Sequence, residues 1–169
     1  MVDLMGLEEQ VDMEFAAARR RARIRGLRAK VRKQSGIGTL LSFEEQRRSR
    51  RAYGGVRRGR DTVELSRIVG SAGKHDWFDE GLMPLCSRDR WKRMDRAFRL
   101  GHELPPVVLY KLGYVYFVED GHHRVSVARF HGAEWIDAEV TEYGLPHDRE
   151  STSRNALWPH LGRRNGQHE

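Results

Sequence analysis

The segment from Tyr114 to Thr141 constrains the fold more than any other part of the chain. Tyr114 to Val118 reads as a strand, and Asp120-Gly121 is a turn signal that ends it. A helix from about His122 to His131 follows, and Gly132 stops it. Trp135 to Thr141 then alternates, with Ile136, Ala138 and Val140 on one face, so a strand comes directly after the helix. This order predicts an α+β fold, with a small mixed sheet carrying helices.

The rest of the chain is read around that unit. Pro105-Pro106 precede a strand from Val107 to Lys111, and a turn at Leu112-Gly113 joins it to the next strand as a hairpin. Ser87 caps a helix with Trp91, Met94 and Phe98 on its buried face and Gly101 as its stop. A first strand covers Thr62 to Val69, and Gly70 to Lys74 is expected to be a flexible turn. Trp77, Phe78 and Leu82 are expected to pack on the core. Nearer the start, Leu4, Leu7, Val11, Phe15, Ala18 and Ala22 form one helical stripe. Past Ala22 the apolar residues Ile24, Leu27 and Val31 change sides, and Gly26 weakens the helix. Ser42 with Glu45 makes a capping box for a short helix through about Ala52. Gly54, Gly55 and Gly59 then end it, which divides the chain into a basic helical arm (1–60), a domain (61–143) and a polar tail expected to be disordered (144–169).

Charge follows the same division. Residues 1–60 hold 16 Lys/Arg against 7 Asp/Glu, whereas residues 61–169 hold 15 against 17. Arg19, Arg20, Arg21, Arg23, Arg25, Arg28, Lys30, Arg32 and Lys33 follow one another with no acid among them. Such a run suits DNA or another polyanion through counterion release, and is otherwise a solvated helix face. No aromatic residue interrupts it, which argues against stacking on single-stranded bases. No apolar run approaches the roughly 18 residues of a membrane helix, and the acidic start is unlike a signal peptide. The single cysteine, Cys86, cannot form an intrachain disulfide, so a cytoplasmic setting is expected.

The chemistry concentrates at Asp120-Gly121-His122-His123-Arg124. A strand ending in glycine before a helix leaves the N–H groups of the first turn facing an anion, with the helix dipole behind them. Gly121 allows close backbone approach, and Arg124 offers a fork for phosphate oxygens. His122 and His123 can donate hydrogen bonds or relay protons, and Asp120 can orient a histidine, hold a hydroxyl or bind magnesium. The plain alternative is a turn with an acidic helix start.

This run resembles the ParB/sulfiredoxin superfamily, in which a strand, a Gly-x-x-Arg helix start and a second strand follow in order. Gly121, Arg124, Ala128, Arg129 and Gly132 match the ParB pattern, whereas His122 and His123 replace its Glu and first Arg. Gly121, His123 and Arg124 match the sulfiredoxin pattern, but His122 stands where that family has its reactive cysteine, which excludes sulfiredoxin chemistry. Asp120, Gly121, His122 and Arg124 match the Asp-Gly-His-Thr-Arg of the superfamily's free-serine kinase, the nearest local match.

The resemblance covers roughly residues 62–141. It implies a nucleotide ligand (ATP, ADP or CTP, with or without magnesium) at Gly121, His122, His123 and Arg124. It also places Ser71 and Lys74 on a second ligand-facing loop. Asp120 and Glu80 are the acids a kinase would use, with Asp79 a neighbouring candidate. Only 28 residues follow Thr141, too few for the DNA-reading and dimerisation domains of partitioning ParB proteins. Three functions follow: a nucleotide-binding module with a basic arm, a small-substrate phosphotransferase, and, last, the nuclease implied by the family label "ParB-like nuclease". A carboxylate from residues 76–80 facing Asp120 would favour the enzyme; a cleft of basic and histidine groups would favour the module. His123 is expected to be the ligand-facing ring. His75, His102 and His131 show no metal spacing and are expected at the surface.

Overall fold

A computed structural model describes residues 4–32, 40–73, 78–79, 82–83 and 88–146. The elements are α1 (Leu4–Arg32), β1 (Leu41–Ser42), α2 (Phe43–Ser49), β2 (Tyr53–Glu64), β3 (Ile68–Ser71), α3 (Arg88–Arg99), β4 (Val107–Leu112), β5 (Val115–Asp120), α4 (His122–Phe130) and β6 (Trp135–Gly144). The strands form one six-stranded mixed sheet in the order β1-β3-β5-β4-β6-β2. The fold is α+β, as the element order predicts.

Strand alternation sorts the apolar residues onto two faces. Val107, Leu109, Tyr116, Val118, Ala138 and Val140 pack with Val125 and Ala128 of α4 on one face. Leu112 and Phe117 pack with Phe43 of α2 on the other, where Tyr143 and Leu145 join them. Helix α4 is buried on both sides, because its Val127 meets Phe15, Ala18 and Ala22 of α1 and Trp91 of α3. The indole N–H of Trp91 donates to Ser126 Oγ at 3.0 Å.

The apolar stripe of α1 is buried as expected from Leu7 to Ala22, and the backbone stays helical through Gly26. Its acidic half docks on basic α3: Asp12 pairs with Arg88 (2.9 Å) and Lys92, Glu8 with Arg96, and Glu14 with Arg99.

Three local expectations are corrected. First, the glycines after α2, expected to mark a boundary at residue 60, lie within a strand: β2 runs through residue 60 and pairs along its length with β6. Gly54 and Gly59 have positive φ, and register shifts lie between Tyr53 and Val56 and between Arg57 and Gly59. Here the glycines bend a strand. Second, the expected strand from Thr62 to Val69 is broken by a 3-10 turn at Leu65–Arg67. Arg129 holds that turn by donating to the carbonyls of Leu65 (2.7 Å) and Ile68 (2.5 Å). Third, Gly70 and Ser71 are not a flexible turn but the buried end of β3. A Cβ on Gly70 would lie 2.2 Å from the Leu41 carbonyl oxygen and 2.5 Å from Phe117, so glycine serves close packing there.

Two further residues differ. Phe98 is partly exposed and stacks on His131 at 4.8 Å. His131 is not a plain surface residue, because its Nε2 lies 2.6 Å from the buried Asp95 carboxylate. Burial raises the Asp95 carboxyl above its ordinary value, against the lowering effect of His131. Of the expected tail, Gly144 ends β6 and residues 147–169 lie outside the described residues. Among the described residues no helix is long and apolar enough to cross a membrane.

Candidate functional site

The junction of β5 and α4 depends on Gly121. It caps the helix in the left-handed region, with φ +93 and ψ 21 and no side-chain cap. A Cβ there would lie 2.7 Å from Val107 Cγ1 and 3.1 Å from Arg124 Cζ. Backbone conformation and space both demand glycine. The first helical turn is thus free of a capping side chain, and it opens into a cleft of about 250 Å³.

Asp120, Gly121, His122, His123 and Arg124 all line this cleft, so the structure brings the motif together in one place. Phe78 forms part of its wall. The His122 ring stacks on Phe78 at 5.2 Å and is almost fully buried, while the His123 ring is tilted at 5.1 Å and less buried.

Ser71 has a different place from its expected one. It does not line the cleft; its Oγ lies 2.7 Å from His122 Nε2 and accepts from the Gly73 N–H at 3.2 Å. Buried behind the histidine, it orients that ring. Lys74 and Glu80 lie outside the described residues. Asp79, described, accepts the Met83 N–H at 2.7 Å and closes a local turn.

Arg124 is held within the protein. One guanidinium nitrogen donates to the Pro105 and Pro106 carbonyls, the latter at 2.7 Å, and the other meets the Asp120 carboxylate at 2.7 Å. Asp120 itself is largely exposed. It is the one acid among the described residues lining the cleft.

The wall also holds two residues not singled out in the sequence, Arg90 and Arg93 of α3, beside Met94 of that helix's expected buried face. Arg90 and Arg93 sit three apart on one helix face, and neither forms an ion pair among the described residues. That spacing was the available signal, but α3 carries six basic residues, and period alone does not say which of them meet a cleft.

The basic run falls on the second half of α1. Arg19, Arg20, Arg21 and Arg23 are exposed, and none pairs with a carboxylate among the described residues. Arg21 lies over the Phe130 ring at 4.8 Å and Arg19 near Phe15 at 5.9 Å. The side chains of Arg25, Arg28, Lys30 and Arg32, and all of Lys33, lie outside the described residues.

No protein-family model and no curated protein matches the chain. It is similar in fold to the crystal structure of sulfiredoxin from Arabidopsis thaliana, with 15% identity and a TM-score of 0.40 over 59% of this chain and 97% of that one. It is also similar to a Pnob8-like ParB-N domain, with 13% identity and a TM-score of 0.36 over 62% of this chain and 37% of that one.

Proposed function

We propose that the cleft at the start of α4 binds the phosphates of a nucleotide, and that the basic half of α1 binds a polyanion, DNA being the expected one. The observation that carries the first part is the cleft's charge. An uncapped helix N-terminus, two arginines outside any described ion pair, a third arginine and two histidines converge on one space, with a single carboxylate among the described residues. Each feature favours an anion, and together they provide several donors for a multiply charged one.

Phosphate would bridge Arg90 and Arg93 to the N–H groups of residues 122–124, and would replace Asp120 on Arg124. Magnesium would find one described carboxylate here, already held by a guanidinium, so it would arrive with the ligand's phosphates. The phosphotransferase reading has less support: Asp79 is engaged with Met83, which leaves Asp120 as the one acid described at the cleft.

Calorimetric titration with ATP, ADP, CTP, GTP and pyrophosphate, with and without magnesium, tests the first part. At least one should bind, and Arg93→Ala should weaken it by about 1.5–3 kcal/mol, the range for hydrogen bonds to charged groups. Absence of binding by every one of these ligands sinks the proposal. For the second part, reversing Arg19, Arg20 and Arg23 to Glu should abolish a salt-dependent affinity for duplex DNA. Affinity unchanged by that reversal, or flat with salt, rejects it.

A further inference from the structure

Three helices meet at one cluster of charged side chains that neither proposed site uses. His131, the C-cap of α4, has its Nε2 2.6 Å from Oδ1 of Asp95 on α3 and 3.9 Å from Oε2 of Glu14 on α1. Arg99 of α3 donates from Nε to Glu14 at 2.9 Å and to the second Asp95 oxygen at 3.4 Å. Its Nη1 reaches Gln10 of α1 at 3.4 Å. The rings around the imidazole carry no charge: Phe98 stacks on it and Phe130 meets it edge-on. Arg129 of α4 turns away to the carbonyls of Leu65 and Ile68. Asp95 is fully buried, and the other three charged side chains are mostly so.

Charge in so enclosed a place has to balance. Glu14 and Asp95 against Arg99 leave one negative charge, and one proton shared by Asp95 and His131 cancels it. A divalent cation is the poorer fit. The 2.6 Å between Nε2 and Oδ1 is shorter than the roughly 3.3 Å between ligands of a tetrahedral ion with bonds of about 2.0 Å. Arg99 also lies on both carboxylates already.

We propose that this cluster is a proton-operated clamp on α1: with the shared proton bound, Glu14 is balanced by Arg99 and α1 stays docked, and without it an excess negative charge beside Glu14 loosens the helix. The hydrogen between Nε2 and Oδ1 is present in both states, so the proton that leaves comes from Nδ1. The pair keeps its bond and changes its charge. Histidine is the side chain whose charge ordinarily changes between about pH 5 and 8. Burial acts in the same sense, holding the Asp95 carboxyl above its ordinary value. Lifting α1 would remove Glu14 and admit water to Asp95, so the docked state binds the shared proton more tightly. Docking is therefore firmest at low pH and weakens as pH rises through the pair's folded value. Because α1 runs on into the basic segment, the same proton sets how freely that segment moves. The clamp stands independently of the phosphate and polyanion readings.

The test follows amide hydrogen exchange of the full chain at roughly pH 6 and 8, on either side of an ordinary histidine, with intrinsic rates divided out. A helix lifted from its packing surface keeps little protection. In wild type, protection of residues 7–22 should fall about tenfold at the higher pH relative to β4 and β5, as a tenfold difference in proton affinity gives. His131→Gln keeps a donor toward Asp95 but cannot titrate, and Glu14→Gln removes the charge on α1. Each should hold the fall within about twofold. Protection in β4 and β5 reports that each variant is folded, and should His131→Gln not fold, Glu14→Gln carries the test. Equal changes in α1 and the strands of wild type overturn the clamp, as does an undiminished fall in Glu14→Gln. Greater protection of α1 at the higher pH overturns it too. Zinc that raises α1 protection in wild type but not in Glu14→Gln overturns it in favour of a metal site.

Discussion

The Oγ of Ser71, at the end of β3, lies 2.7 Å from Nε2 of His122, at the start of α4. The contact ties two chain segments 51 residues apart and engages Nε2 of the buried His122 ring. Ser71→Ala leaves a buried imidazole nitrogen and the Gly73 N–H without this partner. Unfolding by urea should show a loss of about 1–3 kcal/mol, the cost of an unmet buried polar group. A loss below a few tenths would show that the ring rearranges at no cost and that Ser71 does not orient it.

Gly121 combines a left-handed backbone with a filled space. Gly121→Ala should therefore destabilise by more than the roughly 1–2 kcal/mol of the backbone term alone. Adding Val107→Ala removes the methyl at 2.7 Å but leaves the Val107 Cβ position at 3.0 Å. The double variant should consequently recover only part of the loss relative to Val107→Ala. Full recovery in a thermodynamic cycle would mean that packing, not conformation, is why glycine is there.

Asp120 separates two accounts of the cleft. If its carboxylate occupies Arg124 in place of a phosphate, Asp120→Asn removes a competitor. Pyrophosphate should then bind tighter by on the order of 1 kcal/mol, since the Asp120 end of the pair is largely exposed. If Asp120 is instead a magnesium ligand, the same change should weaken magnesium-dependent binding. Titrations with and without the metal distinguish the two.

Two carboxylates should titrate in opposite directions. Hydrogen bonding to Lys111, helped by Arg58 and opposed by burial, holds Glu142 below its ordinary value, whereas burial holds Asp95 above its own. For Glu142 the depressed folded value means a contribution complete above the ordinary value and lost as pH falls through the folded one. Glu142→Gln should therefore flatten the acid limb of the stability curve. For Asp95 the sign reverses: the native state holds the proton more tightly, so its contribution is complete below the ordinary value and lost as pH rises through the folded one. Carboxyl chemical shifts followed by NMR should place Asp95 above and Glu142 below ordinary values; the reverse order would refute both assignments.

The β5–α4–β6 unit was legible because its signals are local. Asp120-Gly121 stops a strand, and Gly132 stops a helix, wherever the segment sits. The motif's arginines were legible as residues but not in their partners. Arg129 braces a turn 64 residues away, and Arg124 grips the carbonyls of a Pro-Pro segment 18 and 19 away. β2 was opaque because its glycines are ambiguous without their partner strand: the same Gly54, Gly55 and Gly59 end a helix or bend an edge. His131 was opaque because its partner, Asp95, is brought to it only by the packing of α3 against α4.

The pairing of β2 with β6 carries a consequence for how the chain is made. Arg57 and its partner Glu139 are 82 positions apart, so during synthesis a twelve-residue strand leaves the ribosome long before its complement exists. An unpaired strand of that length is a template for association with other chains. Its own residues oppose this: Arg57, Arg58 and Arg60 repel a like strand, and the glycine bends spoil the flat register that stacking requires. The residues that make β2 hard to recognise as a strand are the ones that keep it safe while it waits.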